Sequence, residues 1–172
     1  NGDFNNGAAP SARPAVDRVW GKPATVQGGP EGWTTWNAAE SAGEFGRATH
    51  GHSGFSSAQV VGAGDAAFTQ RVNVAPFRFY RISAWIRSIG AGHADVRMRW
   101  LDEHGMVLTM EATPSPLTPE GPPTDGWQEV SGIVRCPQGA LQLEVRLGVT
   151  DQEATTDVVW FDDVALYAID VN

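Results

Sequence analysis

From residue 141 to 150 every second side chain is apolar: Leu141, Leu143, Val145, Leu147 and Val149 share one face, and Gln142, Glu144, Arg146 and Gly148 share the other. Period-two alternation marks a strand half buried against a core; a helix, with its period near 3.6, cannot keep such a stripe on one side. The pattern recurs along the chain. Tyr80, Ile82, Ala84 and Ile86 point inward against Arg81, Ser83, Trp85 and Arg87. Val96, Met98 and Trp100 oppose Asp95, Arg97, Arg99 and Leu101, while Val130, Val134 and Cys136 mark a fourth strand. Further strands are expected at 56–61, 68–74, 106–111 and 158–168, each bounded by Gly, Pro, Asp or Asn. No segment carries a sustained helical stripe. The chain therefore reads as all-β, an antiparallel β-sandwich or jelly roll rather than a parallel sheet.

A length of 172 residues suits one core, so a single domain over 1–172 is expected. The hydrophobic fraction of 41% excludes a disordered chain. No run approaches the ~20 apolar residues that span a bilayer, and no membrane partner is expected. A net charge of -8 repels phosphate, which argues against nucleic acid as a partner. The opening Asn1-Gly2-Asp3-Phe4 has no initiator Met or targeting segment and reads as a mature or excised piece. Cys136 is the only cysteine, so no internal disulfide can form, and it reads as a buried apolar side chain. Residues 9–39 and 112–126 lack alternation and read as long loops, the second rich in proline and able to wall a groove.

In the last strand, strict alternation puts Asp162 on the same inward face as Val158, Trp160, Val164 and Leu166. A buried, unpaired carboxylate is too unfavourable to keep, so Asp162 needs a cation, an Arg, or an escape at the sandwich edge. Calcium is one answer, because it takes six to eight oxygen ligands and suits the oxygen-rich run Asn1, Asp3, Asn5 and Asn6. The other is a local bulge that turns Asp162 to solvent and leaves Asp163 in a turn. Catalytic constellations are missing. Nothing pairs Asp95 with Glu144, His50 and His52 lack a third ligand at zinc spacing, and there is neither a nucleophile elbow nor a phosphate loop. No enzyme activity is expected.

Several short motifs follow one another in order: Asn1-Gly2-Asp3-Phe4, Gly32-Trp33, His52-Ser53-Gly54-Phe55-Ser56, Val72-Asn73-Val74, Tyr80-Arg81-Ile82-Ser83-Ala84-Trp85, Gly126-Trp127 and Trp160-Phe161-Asp162-Asp163-Val164. In these the chain resembles the bacterial carbohydrate-binding modules of the family 4, 9, 16 and 22 type, which share the galactose-binding-like jelly roll. The resemblance implies a non-catalytic, secreted, extracellular and monomeric module that binds a polysaccharide such as β-glucan, xylan, mannan or a related plant or algal glycan. It further implies parent enzyme domains in cis, a glycoside hydrolase or lyase that the module targets to its substrate. A structural Ca2+ is implied as well, held near Asp3, Asn5, His52, Phe55 and Asp162. Asn5 stands where the family usually has Glu, which removes one charge from the site. The alternative is a calcium-stabilised structural or adhesion sandwich in a multidomain extracellular protein.

If the strands around Tyr80–Ile86, 95–101 and 142–150 share a sheet, their outward faces pool Trp85, Arg87, Arg97, Arg99, Glu144 and Arg146. An exposed indole flanked by Arg and Glu suits a pyranose, whose C–H face stacks on the ring while the charged groups reach hydroxyls. In the resembled family the concave sheet does this work. The Arg excess in an acidic chain raises a glycan bearing carboxylates or sulfates beside the neutral one. Trp33 and Trp127 read as core or loop packing, and Trp20 and Trp36 as loop aromatics that could cap a site.

Overall fold

The computed structural model describes residues 32–109, 113–121 and 126–170. Among them are nine strands and no helix: β1 (Thr34–Asn37), β2 (Glu44–Ala48), β3 (Ser57–Val61), β4 (Asp65–Asn73), β5 (Phe79–Ile89), β6 (His93–Leu101), β7 (Gln128–Arg135), β8 (Gln142–Thr150) and β9 (Val158–Ile169). They form a four-stranded sheet in the order β1-β4-β8-β6 and a five-stranded sheet in the order β2-β3-β9-β5-β7. Every pairing is antiparallel. The alternating residues meet between the sheets, where Phe68, Ile82, Ile86, Met98, Trp100, Leu143, Leu147 and Phe161 are fully buried in one cluster. Trp33 joins that cluster ahead of β1. Burial pushes the Cys136 thiol up to about 11, so it packs as an apolar group.

Two local expectations are corrected. A strand is expected over 106–111; residues 110 and 111 lie outside the described ones, and in 106–109 Val107 makes an isolated bridge to Leu101. The Asp102 carboxylate accepts the N–H groups of His104 and Met106 at 2.8 and 2.9 Å, a tight turn that returns the chain to two backbone bonds, Asp102 N–H to the Met106 carbonyl and Leu108 N–H to the Trp100 carbonyl. Leu141 precedes β8, in the connection from β7, and is exposed rather than on the core face. The proline-rich stretch, where it is described, walls a groove at the side of the sandwich, with Pro114, Ser115 and Leu117 facing Met98, Trp100 and Gly132. Leu117 pairs with Val96 on the free edge of β6 and packs on Gly132 of β7.

Four connections cross between the sheets at one end: β1 to β2, β3 to β4, β5 to β6 and β8 to β9. Asp157 clasps them. Its carboxylate accepts the N–H groups of Ala91, Glu153 and Ala154 at 2.9 to 3.0 Å, and its carbonyl accepts from Gly62. Gly90 has φ of 85°, and a side chain there would collide with Asp157. The buried Gln152 adds a 2.7 Å bond from the Ala63 N–H to its Oε1.

Candidate functional site

The outer face of the four-stranded sheet gathers polar and aromatic side chains in three rows set by strand register. Trp36, Ala67, Gly148 and Asp95 form one; Thr69, Arg146 and Arg97 the next; Arg71, Glu144 and Arg99 the third. Trp36 stands on the edge strand β1 with 41% of its surface exposed, its ring centroid 4.6 Å from the Arg146 guanidinium carbon. Small residues beside it leave a trough: Ala67 is buried, and any side chain at Gly148 would collide with Asp95. Arg97 donates to Asp95 at 2.8 Å, and Arg71 to Glu144 at 3.1 Å.

Arg146 is the least comfortable group on this face. It is only 7% exposed. Burial, with the neighbouring charge of Arg99, holds its pKa below the ordinary guanidinium range, and Glu144 only partly offsets this. Its Nε and the Asp95 Oδ1 are buried without a hydrogen-bond partner. A flat indole above unpaired donors and acceptors can stack a pyranose ring and bond its substituents.

Trp85 and Arg87 do not belong to this group. They lie on β5, which pairs with β7 and β9 in the five-stranded sheet, so their side chains leave the opposite outer surface. Alternation distinguishes inside from outside but not one sheet from the other. The Trp85 ring is also covered, with the His52 imidazole stacked on it at 3.7 Å and 11° and the Trp127 ring edge-on to His52. Arg87 lies over Trp160 at 5.2 Å. Of the six expected sugar contacts, Arg97, Arg99, Glu144 and Arg146 come together, and the indole beside them is Trp36 rather than Trp85. The β-forming run Thr34-Thr35-Trp36 was the signal for it.

Asp162 does not face the interior. Val159 and Phe161 hold the core positions, and Asp162 pairs with Trp85 on the outer surface. A bulge with Asp163 at φ 46° then shifts the phase and returns Val164 inward. Asp162 is nonetheless fully buried, because the β2–β3 connection folds over it. Gly51 permits that approach, since a side chain there would strike the Asp162 carboxylate and the Ser56 carbonyl. The Asp162 carboxylate accepts N–H groups from His52 at 2.7 Å, Ser53 at 3.4 Å and Asp163 at 2.8 Å. Desolvation still raises its pKa, and these bonds only partly oppose it.

A carboxylate offers about four acceptor positions, so roughly one stays open on Asp162 for a hard cation. That fits one calcium ligand and is far short of a cage. The Phe55 side chain is 90% exposed, no group of three or more His, Cys, Asp or Glu suited to a metal occurs among the described residues, and Asp3 and Asn5 lie outside them. Beside Asp162, Asp163 accepts from Ser53 Oγ and is 2.8 Å from His52 Nδ1. This is not a nucleophile triad: Ser53 gives its proton to the carboxylate, and no imidazole stands between them to take it.

No protein-family model matches the chain, and no curated protein matches it. Solved structures do. The CBM22-1 xylan-binding domain of Paenibacillus barcinonensis Xyn10C matches at a TM-score of 0.57 and 15% identity, over 85% of this chain and 91% of that one. The enzymatically active domain of tailspike protein 4 from bacteriophage CBA120 matches at 0.57 and 17%, over 80% of this chain and 19% of that one, so this chain spans about a fifth of its length. The Stig cyclase Fisc from Fischerella sp. TAU matches at 0.56 and 19%, over 84% and 88%. A family 16 carbohydrate-binding module and a CBM4 structure match in the same way. One sandwich thus serves sugar binders and enzymes alike, and function must be argued from the site. What the likeness establishes is the fold: this chain is an all-β sandwich of the jelly-roll kind seen in carbohydrate-binding modules of families 4, 16 and 22.

Proposed function

We propose that this chain is a non-catalytic carbohydrate-binding module that lays a polysaccharide across the outer face of its four-stranded sheet. The carrying observation is Trp36, a half-exposed indole stacked on the buried Arg146 beside the trough over Ala67 and Gly148. Arg97, Arg99, Arg146 and Glu144 reach the sugar's substituents, and Trp36 carries its ring. Candidate polymers are β-glucan, xylan, mannan and related plant or algal glycans; the likeness to the xylan-binding Paenibacillus domain supports that range. On this reading the module is a secreted, extracellular monomer that targets an attached glycoside hydrolase or lyase. Absence of catalysis is supported by the site itself, where Arg97 holds Asp95 and Arg71 holds Glu144, leaving no free acid and base pair. We also propose a structural calcium, bound by the open acceptor position of Asp162 together with Asp3 and Asn5.

Affinity electrophoresis across xylan, β-glucan, mannan, galactan and uronate polymers tests the sugar reading. At least one polymer should retard the protein, and Trp36→Ala should weaken that binding ~30-fold, as a central Trp contributing about 2 kcal/mol would. Silence across the panel, or a Trp36→Ala variant that binds as before, overturns it.

A further inference from the structure

We infer that the glycan bound on this face is acidic: its carboxylate or sulfate lies against Arg97, Arg99 and Arg146 while its ring stacks on Trp36. This rests on the sugar-binding reading above and names the ligand class. The first observation is register. Arg146 on β8 pairs directly with Arg97 on β6, so two guanidinium groups face each other across neighbouring strands. Like charges so placed destabilise a sheet, and a binding partner of opposite charge is what relieves them.

The second observation is that the acids near these guanidinium groups leave donors over, Asp65 attracting Arg146 without a hydrogen bond to it. Asp95 accepts from Arg97 through Oδ2, and Glu144 from Arg71 through Oε2. Among the described residues Arg99 has no hydrogen-bonded or ion-paired partner, and Arg146 lies against the Trp36 ring with its buried Nε unbonded. Each guanidinium carries five N–H donors, so donors far outnumber the one buried acceptor left, Asp95 Oδ1. A sugar hydroxyl supplies a donor with each acceptor and brings no charge. A carboxylate or sulfate supplies acceptors alone, two or three together, in the geometry that guanidinium groups fork onto. The chain's net charge of -8 does not oppose this, since exposed charges beyond ~8 Å are screened at physiological salt.

Calorimetric titration of the full chain decides the matter. The probes are a polygalacturonate, a sulfated galactan, an unsubstituted galactan and xylan, and polyglutamate as an anion without sugar. An acid-bearing glycan should bind at least ~10-fold more tightly than the neutral polymers, equivalent to one charge-assisted bond, and its affinity should fall as salt rises. Whichever of the uronate and sulfate arms is stronger identifies the anion. Arg99→Gln, at a half-exposed position, should lose that margin with an unchanged melting temperature, and Arg146→Gln gives a second reading of the same ratio. Equal or tighter binding of the neutral polymers, a margin that survives both variants, or equal binding of polyglutamate overturns the inference. Binding to none of the glycans overturns the sugar reading beneath it instead.

Discussion

Replacing Arg146 with Met should make the free protein more stable while weakening its grip on glycan. The guanidinium is 7% exposed, opposite Arg97, with its Nε unpaired; the Trp36 ring is its aromatic contact, and the charges of Glu144 and Asp65 only partly offset burial and its arginine neighbours. Relieving a buried donor without a partner returns ~1–3 kcal/mol. Removing the cross-strand repulsion returns a further ~0.2–1 kcal/mol. Against this stands a cation–π contact of ~1–2 kcal/mol, while Met fills most of the same aliphatic volume. The balance is a gain of about 1 kcal/mol, which in a chain of this size raises Tm by ~2–4 °C. Urea unfolding followed by tryptophan fluorescence measures it, with the midpoint rising at unchanged slope. A loss of about 1 kcal/mol or more would mean that Arg146 braces the free sheet, and the argument that it is held in place for a ligand would fail.

Asp157→Asn should lower stability at neutral pH and flatten the acid limb of the Tm profile. The N–H groups of Ala154, Ala91 and Glu153 hold this carboxyl below the ordinary range, so its contribution is complete above the unfolded value near ~3.9 and drains as pH falls through the lower folded value. Gly132→Val should push Leu117 off the sandwich side, since even a Cβ would approach Leu117 to 2.8 Å; a loss of ~1–3 kcal/mol and faster proteolysis within 113–121 are expected. Chelation should lower Tm by ~5–10 °C if calcium is present at a hundred times its dissociation constant, the equivalent of ~2.7 kcal/mol. An unchanged melt removes calcium from the account.

Most of the sandwich could be read from residue order because β5, β6 and β8 each keep one strict apolar face, and burial of that face leaves a strand little freedom of register. What could not be read was which strands share a sheet. Trp85 and Arg97 both point outward, but partner choice depends on contacts between residues far apart in the chain, to which a period-two pattern is blind. The same limit hid Trp36: β1 has four residues, too few to display a period, and it is recruited by β4. Asp162 misled for a different reason. One bulge residue, Asp163, shifts the phase of β9, and alternation counted through it reverses the face of everything on one side.

The clasp at Asp157 and Gln152 also dictates where the polypeptide can be reopened. New termini between His104 and Gly105, in the exposed turn after β6, would leave every clasp contact intact, so a circular permutant cut there should fold. Cutting at Gly62 to Gly64 would sever a short linker whose backbone bonds Asp157, Gln152 and Asp151 directly, freeing both sheets to part at that end. Fusion partners and display scaffolds are therefore best joined through the turn after β6.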